Sequence, residues 1–177
     1  MNRFDAHIEE NKGRYFDELC TLLRQPSIAA QGIGIEETAM LVARRLERLG
    51  AQVEIFRMPG AAPVVYGSIG NGARTLLVYD HYDVQPPEPL DLWHSPPFEP
   101  TLRDGKLYAR GVADNKGNLM LRIQAIESWL ATQAISPAAS TFSSKEKKRS
   151  GRSISSHSAR AILNCCAPMG VCGKPAE

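Results

Sequence analysis

The order of hydrophobic patterns along the chain predicts an α/β fold, with a mainly parallel or mixed sheet flanked by helices. Three observations carry that expectation. Two stretches with helical apolar spacing open the chain, three short β-rich runs follow between residues 52 and 80, and another helical stretch ends near residue 130.

Phe4, Ile8, Tyr15, Phe16, Leu19, Leu22 and Leu23 recur at helical spacing, so residues 3–24 are expected to form an amphipathic helix with a break near Gly13. Glu36 to Leu49 is a second helix, with Gly50 as its stop. Runs at 52–57, 63–69 and 74–80, separated by Pro-Gly and Asn-Gly punctuation, have strand composition. The 74–80 run, RTLLVYD, is apolar almost to its end, the pattern of a strand covered on both faces. Residues 86–100 are too rich in proline for a helix or a central strand and should form an extended loop. DGKLYARG at 104–111 is a turn followed by a short strand, and 117–130 is a helix.

The chain has 177 residues, 43% of them hydrophobic, which suits one medium domain or a domain with a tail. It has no apolar run of membrane-spanning length, and its charged first twenty residues lack a signal-peptide core, so a cytoplasmic protein with no membrane partner is expected. A net charge of +2 is too small to argue for nucleic acid, and none is expected as a partner. The charge is unevenly spread. Residues 131–177 hold seven basic and two acidic side chains, nine serines, eight alanines and three of the four cysteines. No amphipathic period survives there, so a domain over 1–130 and a disordered basic tail over 131–177 are expected. Cys20 alone precedes the tail, which suits a reducing compartment.

His81-Tyr82-Asp83 directly follows the most apolar strand, and the ends of such strands are where ligand sites form on α/β sheets. An imidazole can bind a metal while a carboxylate two residues away orients it. Asp114, in GVADNKG between a strand and a helix start, could meet His81 in space and bridge a metal. By itself His-x-Asp is a common pair, and a turn histidine beside a solvated aspartate is the plain alternative.

The wider wording decides between them. The run LLVYDHYDVQPPEPLDLWHSPPFEPTLRDGKLYARGVADNKGNL resembles the di-zinc amidohydrolase and peptidase family of carnosine-type dipeptidases, acetylornithine deacetylase and succinyl-diaminopimelate desuccinylase. The resemblance covers roughly residues 5–130 and leans, through HYDVQP, towards the dipeptidase-like branch. It implies that the folded part is the N-terminal half of a zinc-peptidase catalytic domain. It also implies zinc as cofactor (two ions, with cobalt or manganese as alternatives), His81 as a ligand of one ion, Asp114 as the bridging carboxylate and Asp83 as the catalytic partner that orients His81. The implied reaction is hydrolysis of a small peptide or N-acyl amino acid by zinc-activated water. Full-length relatives of this kind are expected to be homodimers through an inserted domain that has no counterpart here.

The family pattern also requires a glutamate base, an adjacent glutamate ligand, a later carboxylate and a late histidine. None is visible: where the acidic pair should follow Asp114, the chain has SSKEKKRSG, so the chain by itself is expected to be inactive. A reading-frame slip accounts for this. One base earlier, and with suitable third bases, residues 144–151 spell an E-G-E-E-E-I-G motif. Asn164-Cys165-Cys166 in the same frame gives Leu-Leu for every codon choice, as in the family's LL.ADG..WE segment, which puts a lost base near codon 134. His94 beside Trp93 is expected to pack rather than coordinate, and Cys165, Cys166 and Cys172 lack the spacing of a thiolate zinc site. The rival from another class is a non-enzymatic fragment whose basic stretch at 141–160 serves as an interaction module.

Overall fold

The computed structural model describes residues 2–72 and 74–133 in full and the backbone of 159–166. The chain opens with α1 (Arg3–Arg24), capped by the Asn2 side chain, which accepts from the Asp5 amide at 2.8 Å. Gly13 does not break it: α1 is continuous, because a helix that buries Tyr15, Cys20, Leu22 and Leu23 gains more from packing than one exposed glycine loses. A 3₁₀ turn (Ala29–Gln31) leads to α2 (Ile35–Arg48), whose buried stripe runs through Ala39, Val42, Ala43 and Leu46.

Strands β1 (Gln52–Phe56) and β2 (Val64–Ile69) form an antiparallel pair, and β3 (Arg74–His81) follows. The proline-rich loop contains one 3₁₀ turn, Leu90–Leu92, a correction to the wholly extended expectation. It leads to a hairpin of β4 (Thr101–Arg103) and β5 (Lys106–Tyr108). Asp104 and Gly105, both with positive φ (48° and 71°), make the two-residue turn whose twist matches the strands. Next comes α3 (Lys116–Thr132).

Strand β6 (Ala159–Cys166) belongs to the stretch expected to lack structure, and for these eight residues that expectation is corrected. The sheet order is β1-β2-β6-β3, so β6 fills the slot between β2, to which it is antiparallel, and β3, to which it is parallel. The reason is backbone satisfaction: a mostly apolar run gains ladder bonds on both edges there. Residues 134–158 and 167–177, which include the acidic-motif region, His157 and Cys172, lie outside the described residues. The sheet is therefore mixed rather than mainly parallel.

The three helices and β2 share one core of Leu22, Val42, Leu46, Val65, Leu119 and Ile123. Among the described residues the double coverage expected of β3 is not found. Leu76, Leu77 and Tyr79 are 55%, 61% and 56% exposed, because β3 ends the sheet order and the core lies on one side of the sheet. No helix among the described residues is long and apolar enough to cross a membrane.

Candidate metal centre

The site forms where β3 ends and the β5–α3 connection passes over it. His81, the last residue of β3, is partly buried. Tyr82 behind it is fully buried, its hydroxyl donating to the Pro63 carbonyl at 2.6 Å. The Ser27 hydroxyl donates to the Tyr82 carbonyl at 2.7 Å, and the Val84 amide donates to the Ser27 carbonyl at 2.8 Å. These bonds hold 81–84 extended beyond the ladder and fix the direction of the imidazole.

His81 Nε2 lies 3.0 Å from Asp114 Oδ1. Its Nδ1 lies 3.2 Å from both the carbonyl and the Oδ1 of Asp83, with hydrogen-bond geometry only to the carbonyl. Asp83 is buried, and its Oδ1 has no hydrogen-bond partner among the described residues. Burial pushes its carboxyl above the ordinary value, with the neighbouring His81 opposing the shift. Asp114 is the exposed member, with 82% of its side chain accessible. The Asp114–Asn115 peptide bond is cis.

Two glycines let the connection approach this closely. Gly111 has φ 85°, and a Cβ on it would lie 2.6 Å from Val84 Cγ1. A Cβ on Gly117 would lie 2.0 Å from the Val112 carbonyl oxygen, so the first turn of α3 can fold back on the loop only without a side chain there.

Lys116 is the site's most unusual neighbour. It is fully buried, and its ammonium donates to the carbonyls of Leu22, at 3.1 Å, and Gln25, which close the end of α1. Burial lowers its pKa to about 7, and the charge of Asp83 acts against that shift. Sequence reasoning did not single it out, because a lysine in a loop motif is ordinarily a solvated charge. Asp80 was missed too. It is buried beside His81 and accepts from Asn115 and Arg122, and the available signal was its place as the one acid of β3, directly after the run LLVY.

His81, Asp83 and Asp114 thus come together as expected. His94 is exposed and takes no part in their contacts, while Trp93 packs, donating to the Pro87 carbonyl at 2.7 Å with the Arg110 guanidinium over its ring. Among the described residues no group of three His, Cys, Asp or Glu side chains could hold a metal ion by itself. An imidazole nitrogen and a carboxylate oxygen meeting at 3.0 Å, with a buried carboxylate beside the other ring nitrogen, nevertheless fit part of a zinc shell.

The chain is similar to several known proteins. Succinyl-diaminopimelate desuccinylase from Xylella fastidiosa (strain 9a5c) is 38% identical over 122 residues, which are 69% of this chain and 31% of that enzyme. The M20 family metallo-carboxypeptidase Sso-CP2 from Sulfolobus solfataricus superposes with a TM-score of 0.70 at 34% identity, covering 86% of this chain and 30% of that one. Human carnosine dipeptidase 1 shares the fold, with a TM-score of 0.72 at 23% identity over 92% of this chain and 33% of its own. The chain spans about a third or less of each. The profile of Peptidase family M20/M25/M40 matches residues 77–171, more than half of the chain and all of the stretch from His81 to Asp114, and the chain belongs to that family.

Proposed function

We propose that this chain carries part of the metal centre of a hydrolase acting on peptide or N-acyl amide bonds. The observation that carries the reading is the meeting of His81 Nε2 and Asp114 Oδ1 at the end of β3, with Asp83 on the far side of the ring. A proton on Nδ1, directed at Asp83, leaves the Nε2 lone pair free for a metal. His81 would hold one zinc and Asp114 would bridge to a second. Asp83, buried and beside Nδ1, would keep the imidazole oriented. Zinc, when bound, supplies a water of lowered pKa and polarises the substrate carbonyl. Membership of the peptidase family and 38% identity to a desuccinylase support amide hydrolysis, and a dipeptide or N-acyl amino acid is the substrate class proposed.

Two ligands fall short of the roughly four a zinc ion takes, with three usually from protein in catalytic sites. A missing general base typically costs about 10²–10⁴-fold in rate. The 177-residue chain should therefore bind zinc weakly and hydrolyse nothing measurable. From residue 131 onward we read its coding sequence as shifted by one base. Calorimetric zinc titration of the chain and of His81→Ala, with dipeptide and N-acyl amino acid assays beside it, tests the site. Weak binding abolished by the substitution is expected, and zinc binding indifferent to His81 would refute the assignment. Stop codons soon after codon 134 in the frame one base earlier would sink the shifted-frame reading.

A further inference from the structure

We propose that Asp80 is a positioning residue for the metal centre, setting the Asp114 carboxylate opposite His81 by gripping Asn115. The inference rests on the metal-site reading above. Asp114 itself is 82% exposed, lies in a loop that makes no ladder with β3, and among the described residues has its side-chain contact with His81. Its placement must therefore come from the backbone on either side.

The next residue supplies it. Asn115 is the N-cap of α3, a position where the side chain ordinarily accepts from an amide of the first turn, yet it makes no capping bond. Its Nδ2 instead donates to Asp80 Oδ1 at 2.8 Å, and its Oδ1 accepts from Asn118 Nδ2 at 2.7 Å. Asn118 also donates to the Ala113 carbonyl at 3.0 Å, closing the turn around Asp114 from the other side. The same Asp80 oxygen accepts from Arg122, two turns along α3. One buried carboxylate, adjacent in sequence to His81, therefore ties β3 to the loop carrying Asp114 and to the helix that follows.

The chemistry suits that task. Asp80 is 2% exposed, and its Oδ2 has no hydrogen-bond partner among the described residues. A buried carboxylate with one idle oxygen is a poor way to stabilise a fold, where an apolar side chain often does as well. It is a good way to lock two chain segments in register, because charge-assisted bonds are short and directional.

The test uses the ¹⁵N-labelled 177-residue chain, first metal-free and then titrated with zinc against a chromophoric chelator. The variants are Asp80→Ala, Asp80→Asn, Asn115→Ala and Arg122→Ala, with Asp114→Ala as reference. At fixed pH, Asp80→Ala and Asn115→Ala should move the His81 ring resonances towards those of Asp114→Ala, while Asp80→Asn, which keeps an acceptor at Oδ1, stays near the parent. Zinc affinity should fall about 10-fold or more in the same two variants, the range for losing a residue that orients a ligand. Arg122→Ala should change both readouts little. Unmoved His81 resonances in Asp80→Ala and Asn115→Ala overturn the proposal, as does Arg122→Ala reproducing the full effect, since Asp80 would then only anchor α3. If Asp80→Ala does not fold, Asn115→Ala decides. A parent chain that binds no zinc would refute the metal-site reading, while the metal-free resonances still judge Asp80.

Discussion

Lys116 shows how one residue couples the site to stability. Unfolded, its ammonium titrates near the ordinary 10.5, and folded it titrates at about 7. Between those values the unfolded chain binds more protons, so stability should rise as the pH increases from about 7 to 10.5, and Lys116 opposes folding most below that window. Lys116→Met should flatten the rise in melting temperature over this range. A variant with the parent slope would show that the buried amine keeps its ordinary pKa. Gly117 sets a different limit. Gly117→Ala places a carbon 2.0 Å from the Val112 oxygen, so either the helix start or the loop must move. A loss in urea-unfolding free energy of roughly 1–3 kcal/mol or more is expected, the range for overpacking.

Among the elements, three helices are tied by a ring of alternating charges. Arg14 on α1 donates to Glu18 at 3.0 Å, Glu18 accepts from Arg45 of α2 at 2.9 Å, Arg45 reaches Glu127 of α3, and Glu127 accepts from Arg14. The ring borders a groove of about 590 Å³ floored by Leu22, Val42, Leu119 and Ile123. Burial works to raise the Glu127 carboxyl, yet Arg14 and Arg45 together hold it below its ordinary 4.5. Its stabilising contribution is therefore present above that value and lost as the pH falls through the folded pKa. Arg45, only 3% exposed, is the central cation, and Arg45→Met takes a guanidinium partner from both Glu18 and Glu127, which keep Arg14. Denaturant unfolding should record a loss of about 1–3 kcal/mol, the range for removing a hydrogen-bond partner from a buried or charged group. Loss of well under 1 kcal/mol would show that water already screens the ring.

At the scale of the whole molecule, the edge strand β3 exposes apolar side chains on both of its faces among the described residues. Leu76 and Leu77 point to opposite faces of β3 and both are more than half exposed, at 55% and 61%. Exposed apolar strands at a sheet edge pair with other chains. The chain should therefore self-associate in sedimentation velocity as its concentration rises, and the double variant Leu76→Lys, Leu77→Lys should remain monomeric with an unchanged far-ultraviolet spectrum. Association that survives both lysines would place the contact elsewhere.

Much of this protein was determined by sequence alone. The periods of α1, α2 and α3 and the punctuation around β1 to β3 follow from local spacing, and the proximity of His81, Asp83 and Asp114 was suggested by the resemblance of HYDVQP and GVADNKG to a known family. Local rules suffice there because helical and strand periods, turn residues and strand-end chemistry are written in neighbouring positions. What only the tertiary structure decided depends on partners distant in the chain. RTLLVYD has the pattern of a doubly covered strand, but its exposure depends on what packs against it. Residues 159–166 follow no helical period, yet they become β6 because β2 and β3 present two unpaired backbone edges. Lys116 looks like an ordinary solvated charge in sequence, and Asp80 like the polar end of an apolar strand. They are buried because the carbonyls of Leu22 and Gln25, and the side chains of Asn115 and Arg122, arrive from elements at least 35 positions away to satisfy them.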